Sequence, residues 1–578
     1  MGHDALTLRE AGERLTSPGQ FFETERALVK GIEMTLWKNA PQTLRQMLDM
    51  SRSHGDLEFL VYEGERYTFQ EHYSIVATLA HRLTESVAKG DRVAIAARNL
   101  PQWPMAFWAS VAAGAIVTPL NAWWMSDELS YGLRDSGSSL LFVDAERLER
   151  VRELIDDLPD LKTIVVLDGL QRPGTSRSHS RVAVLTFEEF LGRIDRSTPP
   201  DLELSTDDDA TMFYTSGTTG HPKGAVGSHR NIITNFMNLS FSAQRSALRA
   251  GVAPGSSTPS TQTTVLLNVP FFHATGCYAV LVPSTAAGSK IVLMHHFDAG
   301  RALEIIERER VSMIGGVPTI AMQIIDHPEF DKYDTSSITS IAYGGAPAPP
   351  ELVVRLKAHF PMGQPSNGYG LTETSAALAS NPGADYLAKP ASCGPCYPVN
   401  EAAVLPEEYE GEEPGDDLTR GPDVLGELWV KGPNVIRGYW NQPEATAKAF
   451  TKSGWLRTGD IAKIDDDGFI YIVDRAKDMI IRGGENVYSV IVEAAIFEHP
   501  DVQDCAVVGT PHPTLGEEVT AVVVLRPGRV IEAEEISRHV AARLAKFEVP
   551  TKVFFRSGAL PRNPQGKVLK RELRDSLV

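Results

Sequence analysis

The chain has 578 residues, of which 42% are hydrophobic and 22% are charged, and its formal net charge is −18 at pH 7. This composition excludes a wholly disordered, collagen-like or coiled-coil protein, and the length predicts several domains or subdomains. The acidic charge argues against a general nucleic-acid or anionic-membrane binder, because nonspecific binding to phosphates needs clustered Lys and Arg. Four cysteines are too few for a disulfide framework.

Neither terminus carries a targeting signal that we can identify. The first residues include Asp4 and no apolar core, unlike a secretory signal peptide. The last three residues, Ser576-Leu577-Val578, are not a peroxisomal tripeptide. We therefore expect a cytoplasmic protein.

One uncharged stretch is long enough to be weighed as a membrane span. Residues 99–126 contain no charged side chain, and most of them are apolar. Pro and Gly interrupt the stretch, so we favour a buried helix over 103–113, a stop at Gly114 and a buried strand over 115–120. A membrane-spanning helix is the alternative.

Apolar runs rich in β-branched residues alternate with helical stretches over most of the chain. Alternating strands and helices predict layered α/β architecture. A helix is expected over 301–308. Strands are expected over 92–96, 140–143, 163–167, 264–267 and 291–294.

The character of the sequence changes near residue 400. The segments 426–430 and 468–473 predict strands of a β-rich subdomain over about 400–476. The last hundred residues predict a small α+β unit, with an amphipathic helix over 533–547. Its expected strands lie near 506–508 and 519–525, and the expected domains are 1–476 and 477–578.

The pair Cys393 and Cys396 has the spacing of a redox motif. A redox pair opens a helix, whereas Tyr397-Pro398 follows here, and Pro disfavours helix for the residue before it. A zinc site would need further ligands at similar spacing, and Cys277 and Cys505 are isolated. We therefore predict a proline-rich surface turn.

The densest group of chemically active residues is Tyr214-Thr215-Ser216-Gly217-Thr218-Thr219-Gly220-His221-Pro222-Lys223-Gly224. Glycines let backbone N–H groups turn toward an anion, hydroxyls add donors, and Lys223 adds a positive charge. The segment therefore predicts a polyphosphate-binding loop. It is not a Walker A motif, because Gly224-Ala225 follows the lysine where that motif has a Ser or Thr.

This loop resembles the phosphate loop of the adenylate-forming superfamily, which includes acyl-CoA and aryl-CoA synthetases, beetle luciferases and the adenylation domains of peptide synthetases. Further segments match the family in its order. They are Tyr343-Gly344-Gly345-Ala346-Pro347, Gly368-Tyr369-Gly370-Leu371-Thr372-Glu373-Thr374, Trp455-Leu456-Arg457-Thr458-Gly459-Asp460, Asp474-Arg475-Ala476-Lys477-Asp478-Met479-Ile480, Gly483-Gly484-Glu485-Asn486-Val487-Tyr488 and Pro561-Arg562-Asn563-Pro564-Gln565-Gly566-Lys567. These segments span residues 214–567, and the resemblance is to the acyl-CoA synthetase branch.

The resemblance implies a fold and an ATP site. The fold is a large N-terminal domain of layered α/β subdomains with a β-rich piece, followed by a small mobile α+β domain. Gly344-Gly345 would let adenine lie against the backbone, Tyr369 would cover the other face of the ring, and Asp460 would accept the ribose hydroxyls. The implied ATP and AMP contacts are Thr215, Ser216, Gly217, Thr218, Thr219, Lys223, Gly344, Gly345, Ala346, Asn367, Gly368, Tyr369, Asp460 and Arg475.

The resemblance also implies catalytic residues. Attack of a carboxylate on the α-phosphate joins two anions, so a cation that bridges them lowers the barrier. Lys567 is the predicted catalytic lysine. Thr372 would hydrogen-bond the α-phosphate, and Glu373 would hold Mg²⁺. His273 occupies the family's position for a gate at the carboxylate end of the acid pocket.

Lys477 matches the hinge of the family, about which the small domain rotates. One pose brings Lys567 to the adenylation site, and the other brings Gly483 and Gly484 toward the coenzyme A tunnel. Glu548 stands where a basic residue is frequent, so a CoA phosphate contact at that position is in doubt.

The residues that would line the implied acid pocket are small or apolar, and none is an Asp placed to hold an amino group. It therefore favours a fatty or aryl acid. No insertion separates Val473 from Tyr488, which favours CoA over a carrier protein as the acceptor. The pocket residues are Thr275, Cys277, Ala279, Tyr343, Gly344, Gly370, Ser375, Ala376 and Ala377.

We thus predict an AMP-forming acid–thiol ligase that uses ATP, Mg²⁺ and CoA. Its expected partners are small molecules, without nucleic acid or a membrane span, and a homodimer is left open. An adenylate-forming ligase that passes the acyl group to a carrier protein or an amine is the alternative. A noncatalytic nucleotide-binding protein is a third hypothesis, against which Lys223, Glu373, Asp460 and Lys567 all argue.

Overall fold

The computed structural model describes residues 6–168, 181–215, 221–252, 261–346, 348, 350–406, 409–415, 421–563 and 566–577. The strands are β1 (Thr24–Val29), β2 (Ile32–Trp37), β3 (Glu58–Tyr62), β4 (Glu65–Thr68), β5 (Arg92–Ala96), β6 (Ile116–Pro119), β7 (Leu140–Val143), β8 (Thr163–Val166), β9 (Ala183–Thr186), β10 (Asp209–Thr215), β11 (Lys223–Ser228), β12 (Thr264–Leu267), β13 (Lys290–Leu293), β14 (Met313–Gly316), β15 (Ser340–Gly344), β16 (Gln364–Tyr369), β17 (Ala379–Pro382), β18 (Glu401–Leu405), β19 (Gly421–Lys431), β20 (Leu456–Ile464), β21 (Ile470–Arg475), β22 (Ile480–Arg482), β23 (Glu485–Val487), β24 (Val502–His512), β25 (Gly516–Leu525) and β26 (Lys552–Phe555).

The α-helices are α1 (Leu8–Thr16), α2 (Leu44–Met50), α3 (Phe69–Thr84), α4 (Gln102–Ala112), α5 (Ser126–Ser136), α6 (Ala145–Arg152), α7 (Phe187–Leu191), α8 (His229–Arg249), α9 (Val282–Ala287), α10 (Ala299–Glu309), α11 (Pro318–Ile325), α12 (Pro350–His359), α13 (Gly383–Ala388), α14 (Pro443–Ala449), α15 (Ser489–Phe497), α16 (Ala533–Ala541) and α17 (Lys570–Asp575). Shorter 3₁₀ turns and one π-helix, Thr275–Leu281, complete the regular structure of the described residues.

Two large sheets form the body of the molecule. The first has the order β11-β10-β6-β5-β7-β8-β9, and only its β10–β11 pair is antiparallel. The second has the order β17-β16-β15-β14-β12-β13-β3-β4, with antiparallel pairs only at its two edges. Helices cover both faces of a parallel sheet, and accordingly β5, β6, β7 and β8 are buried over nearly their whole length. This confirms the layered α/β prediction.

The uncharged stretch folds as a buried helix followed by a buried strand. Residues from Trp103 to Ala112 in α4 are at most 1% exposed, and Gly114 ends the turn with φ +73°. All four residues of β6 are buried. Among the described residues, no helix is long and apolar enough to cross a membrane. The helix-and-strand prediction is confirmed.

The β-rich region is an antiparallel sheet of order β18-β19-β20-β21. Its register places Asp460 directly opposite Arg475. Cys393 does not lie in a surface turn as predicted, because it is 5% exposed and its thiol contacts the carbonyl of Ile470. Cys393 and Cys396 are free thiols, and no helix follows them.

The last part of the chain forms a small, mostly antiparallel α+β unit, as predicted. Its sheet has the order β23-β22-β25-β24, with β26 added beside β25. The predicted helix 533–547 is too long, since α16 ends at Ala541 and the chain continues in tight turns such as Glu548 N–H to Ala545 O. Leu544 and Phe547 still pack against the core of this sheet. Their apolar spacing reflects burial rather than helix.

Candidate active site

Strand ends bring most of the predicted site residues to one region. Thr215 ends β10 and Lys223 begins β11, while Ser216, Gly217, Thr218 and Thr219 lie outside the described residues. Gly344 ends β15, followed by Gly345 and Ala346 in a bend. The carboxyl ends of adjacent parallel strands are where such sheets bind ligands. The end of β16 supplies Asn367, Gly368 and Tyr369 and leads into the 3₁₀ turn Thr372–Thr374.

Asp460 is the most constrained acid of the site. It is 2% exposed, its Oδ2 accepts a hydrogen bond from the Tyr369 hydroxyl at 2.6 Å, and its Oδ1 lies 2.8 Å from Nε of Arg475. Burial and the Asp460 carboxylate raise the pKa of Tyr369, so the phenol stays a hydrogen-bond donor. The structure thus gives Tyr369 a polar contact in addition to the ring face predicted from sequence.

Glu373 and Lys223 are connected by an aromatic residue that the sequence analysis missed. The hydroxyl of Tyr439 donates to Oε1 of Glu373 at 2.8 Å, and Nζ of Lys223 lies 5.0 Å from the centre of the Tyr439 ring. The local signal was weak: an aromatic pair, Tyr439-Trp440, after a glycine in a connecting segment.

Lys567 enters the same region from the C-terminal part of the chain. Burial and the charges of Arg475 and Lys477 lower the pKa of its ammonium group to about 8, against the opposing effect of Asp460 and Glu373. Among the described residues, no carboxylate lies within ion-pair distance of Lys567. The lysine therefore faces the site with its charge available.

The turn that carries Lys567 docks against the large sheet region. Lys567 N–H donates to Oδ1 of Asn563 at 2.9 Å, and Arg562 is held by Asp504 at 2.7 Å. Gly566 has φ +80°, and a Cβ there would lie 2.7 Å from Cγ2 of Val317. Only glycine fits both the backbone angle and this close approach.

His273 lies close enough to Lys567 for the two to influence each other. Burial lowers the pKa of His273 to about 3, and the charge of Lys567 adds to the effect. The imidazole is therefore neutral at physiological pH. A neutral ring suits a gate beside a substrate carboxylate better than a permanent cation would.

The turn after Glu373 has an unusual backbone. Ser375 and Ala376 adopt positive φ values of 51° and 85°, which are rare for residues with a side chain. A Cβ at Gly370 would lie 1.5 Å from the carbonyl oxygen of Ala376. Strained backbone of this kind persists where surrounding structure enforces it, often at functional sites.

Three predicted pocket residues, Thr275, Cys277 and Ala279, lie in the π-helix Thr275–Leu281, a form common at functional sites. Cys277 is fully buried and burial raises the pKa of its thiol, whereas Thr275 is exposed and Ala279 is half-buried. Tyr343 is 4% exposed, and its hydroxyl lies 2.6 Å from that of Tyr386 inside the second sheet's core.

Two predicted adenine contacts, Gly344 and Asn367, also lie close to other parts of the chain. A Cβ at Gly344 would lie 2.4 Å from the carbonyl oxygen of Gly368, so the neighbouring strand already requires this glycine. Gly345 has φ +75° and nothing within 4 Å of its Cβ position, which leaves open space beside the backbone. The amide of Asn367 points its Nδ2 at the carbonyl of Ser392, 3.5 Å away.

The predicted hinge and CoA residues lie at the start of the C-terminal part. Lys477 is exposed in the turn between β21 and β22. Gly483 and Gly484 form the exposed tip of the β22–β23 hairpin, with φ values of 63° and 89°. The hairpin tip is solvent-facing, and Lys567 is the group that faces the predicted ATP contacts Asp460 and Arg475.

The donor set fits a magnesium ion shared with phosphates. Among the described residues, no cluster of three or more His, Cys, Asp or Glu is arranged to hold a metal alone. Glu373 is half-buried, and the hydrogen bond from Tyr439 engages one of its two oxygens. Mg²⁺ commonly takes one or two protein carboxylates and completes its shell with phosphate oxygens and water.

The chain is similar to known acyl-activating enzymes over almost its whole length. A feruloyl-CoA synthase from Amycolatopsis sp is 34% identical over 513 residues, covering 88% of this chain and 94% of the relative. A long-chain-fatty-acid–CoA ligase of Bacillus subtilis is 34% identical, covering 92% and 94%. The solved structure of the amide bond synthetase McbA from Marinactinospora thermotolerans has a TM-score of 0.76 at 26% identity, covering 92% and 99%.

Family models give the same assignment. The model described as AMP-binding enzyme matches residues 48–440, and the one described as AMP-binding enzyme C-terminal domain matches residues 491–567. The resemblance inferred from motifs is therefore confirmed. The chain belongs to the AMP-binding enzyme family and is an AMP-forming acid–thiol ligase of the acyl-CoA synthetase branch.

Proposed function

We propose that this ligase converts a fatty or aryl carboxylic acid to its acyl adenylate at the site around Lys567, and then transfers the acyl group to CoA. The observation that carries the site assignment is Lys567 itself. Its ammonium group is buried without an ion-pairing carboxylate among the described residues, beside the predicted ribose and metal ligands. Such an arrangement costs stability and is typical of a group kept for a ligand.

In this proposal, the chain's own residues position the two reacting anions. Asp460 accepts the ribose hydroxyls, and the ion pair with Arg475 holds that carboxylate in position. Thr372 donates to the α-phosphate. Lys567 bridges the incoming carboxylate and the α-phosphate, so that charge developing at phosphorus meets a fixed cation. When bound, Mg²⁺ at Glu373 would neutralise part of the phosphate charge.

One contact that crosses residue 477 would change in the proposed rotation. Asp474 precedes Lys477, and its Oδ2 accepts a hydrogen bond of 2.8 Å from the hydroxyl of Ser489, which follows it. Rotation about Lys477 would break this contact. We also propose the division into domains at 476 and 477 and a cytoplasmic location, and a homodimer stays open.

The hinge proposal is tested with Lys477→Pro. Proline fixes φ near −65° and also restricts Ala476, so one pose should be favoured. Acyl-adenylate formation should be retained, whereas thioester formation from the adenylate should fall about 100-fold, roughly the cost of misaligned reactants. Lys477→Ala is the control and should keep both half-reactions. If the proline variant keeps both half-reactions at the rates of the unsubstituted chain, this hinge is excluded.

The proposed function is tested with a panel of acids, assayed for pyrophosphate release and for thioester with and without CoA. Fatty or aryl acids should release pyrophosphate, and a thioester should form only with CoA. Adenylate that accumulates with CoA but reacts with an amine would favour the amide-forming alternative, the reaction class named for the similar McbA structure. Absence of pyrophosphate release with every acid would leave the noncatalytic hypothesis.

A further inference from the structure

Tyr439 lies between the two charged groups that the proposed ATP site assigns to the nucleotide's phosphates and metal. Its hydroxyl donates to Oε1 of Glu373 at 2.8 Å, and its ring centre lies 5.0 Å from Nζ of Lys223. Among the described residues, Lys223 has no carboxylate within ion-pair distance. One aromatic side chain therefore contacts a cation by its face and an anion by its edge.

Backbone hydrogen bonds hold the segment around Tyr439 on both sides, which fixes the position of the ring. Trp440 N–H donates to Gly224 O at 2.7 Å, and Val226 N–H donates to Gly438 O at 3.1 Å, which joins the segment to β11 beside Lys223. On the other side, Ile436 N–H donates to the carbonyl of Glu373 at 2.9 Å. The segment thus connects the start of β11 to the Thr372–Thr374 turn.

We propose that Tyr439 is a positioning residue that keeps Lys223 and Glu373 apart and oriented for magnesium-bound ATP. This inference rests on the proposed function. A lysine and a glutamate that face a common ligand would otherwise neutralise each other in a direct ion pair, which the nucleotide would have to break. The ring attracts the ammonium group without neutralising it, and the phenol leaves the second carboxylate oxygen open.

Tyr439 also has neighbours other than the two charged groups. Its ring rests edge-on against Phe450, with 5.8 Å between the ring centres, and its backbone N–H donates to Oγ1 of Thr446 at 2.9 Å. These contacts place the residue independently of its two charged partners.

Two variants separate the functions of ring and hydroxyl. Tyr439→Phe keeps the ring beside Lys223 but removes the donor to Glu373, and Tyr439→Leu removes both. Tyr471→Phe is the matched control, because Tyr471 also donates to a carboxylate, Oδ2 of Asp465, at 3.0 Å away from this site. Calorimetric titration with ATP, with Mg²⁺ or with EDTA and without acid substrate, reports binding rather than turnover.

For the unsubstituted chain, Mg²⁺ should tighten ATP binding. Tyr439→Phe should reduce that tightening at least fivefold while ATP affinity in EDTA stays within twofold, and Tyr439→Leu should also lose at least fivefold of the affinity in EDTA. In the pyrophosphate assay, Tyr439→Phe should raise the Mg²⁺ concentration for half-maximal rate at least fivefold, with kcat at saturation within threefold.

An unchanged magnesium effect in Tyr439→Phe, or an equal change in Tyr471→Phe, would overturn the inference. So would a loss of kcat and of thermal stability without any change in magnesium dependence, since that is the signature of a merely structural residue. An unsubstituted chain that binds no ATP under either condition would instead overturn the proposed function, so the two failures are distinguishable.

Discussion

Lys567 and Lys570 are three residues apart, and both ammonium groups are buried, yet their surroundings are opposite. Nζ of Lys570 lies 2.7 Å from Oε1 of Glu493 and donates to the hydroxyl of Ser489 at 2.6 Å. Burial would lower the pKa of Lys570, but Glu493 and Asp474 outweigh it and the pKa is raised. Lys567 has no such partner among the described residues, and its pKa falls to about 8.

The difference distinguishes a lysine that holds the fold from one that is kept for a ligand. Removing water from a charge costs free energy, which a fixed counterion with good hydrogen bonds can offset. For Lys570, the Glu493 carboxylate offsets this cost within the protein. Lys567 has no such counterion among the described residues, so we expect the substrates to supply the negative charge beside it.

The largest expected effect is the loss of adenylation in Lys567→Ala. Acyl-adenylate formation should fall about 10³-fold, the upper range for removing one group that stabilises a developing oxyanion. ATP binding and thioester formation from supplied adenylate should remain. Arg571→Ala, on the exposed start of α17 with a side chain 76% exposed, is the control. If Lys567→Ala forms the adenylate at the rate of the unsubstituted chain, Lys567 does not serve the substrates, and its contrast with Lys570 has no functional meaning.

Lys570→Met should instead act on stability. It leaves the Glu493 carboxylate without its partner and should cost about 3 kcal/mol, the low end for a broken buried pair. The low end applies because the two side chains keep 18% and 13% exposure. Hydrogen exchange of α15 amides measures the loss, and Lys570→Met with Glu493→Leu should recover most of it. Unaltered protection in the single variant would contradict the structural role.

The smallest expected effect is a pH limb in the adenylation rate. Because the ammonium form is required and the pKa of Lys567 is lowered to about 8, kcat/KM should be steady below that value and should fall as pH rises through it. The fall approaches about tenfold per pH unit. Lys567→Arg should move the limb upward, since guanidinium stays charged. A limb that persists unmoved in this variant would assign it to another group.

The sequence predicted the fold class well because its signals were local. The apolar run around α4 and β6 contains Gly114, the glycine at which the helix ends, and the alternation of strands and helices indicated parallel sheets. The helix over 533–547 was overextended because its apolar spacing continued into the turns that follow the end of the α-helix at Ala541. Periodicity reports which residues are buried, not whether the backbone between them is helical.

The candidate site was predictable only where family motifs carry it. The aromatic pair Tyr439-Trp440 is a weak local signal, and it does not indicate that Tyr439 would lie between Lys223 and Glu373, which are 150 positions apart in the sequence. The burial of Cys393 and the pairing of Tyr343 with Tyr386 were also missed, because both depend on elements that meet only in the folded chain.

The buried apolar clusters of the described residues all lie on one side or the other of Lys477. The contact between the Asp474 carboxylate and the Ser489 hydroxyl spans it, and both residues are buried. A buried carboxylate that loses its donor must be hydrated again or left unsatisfied. Rotation about Lys477 should therefore carry a solvation cost that bears on the balance between the enzyme's two half-reactions.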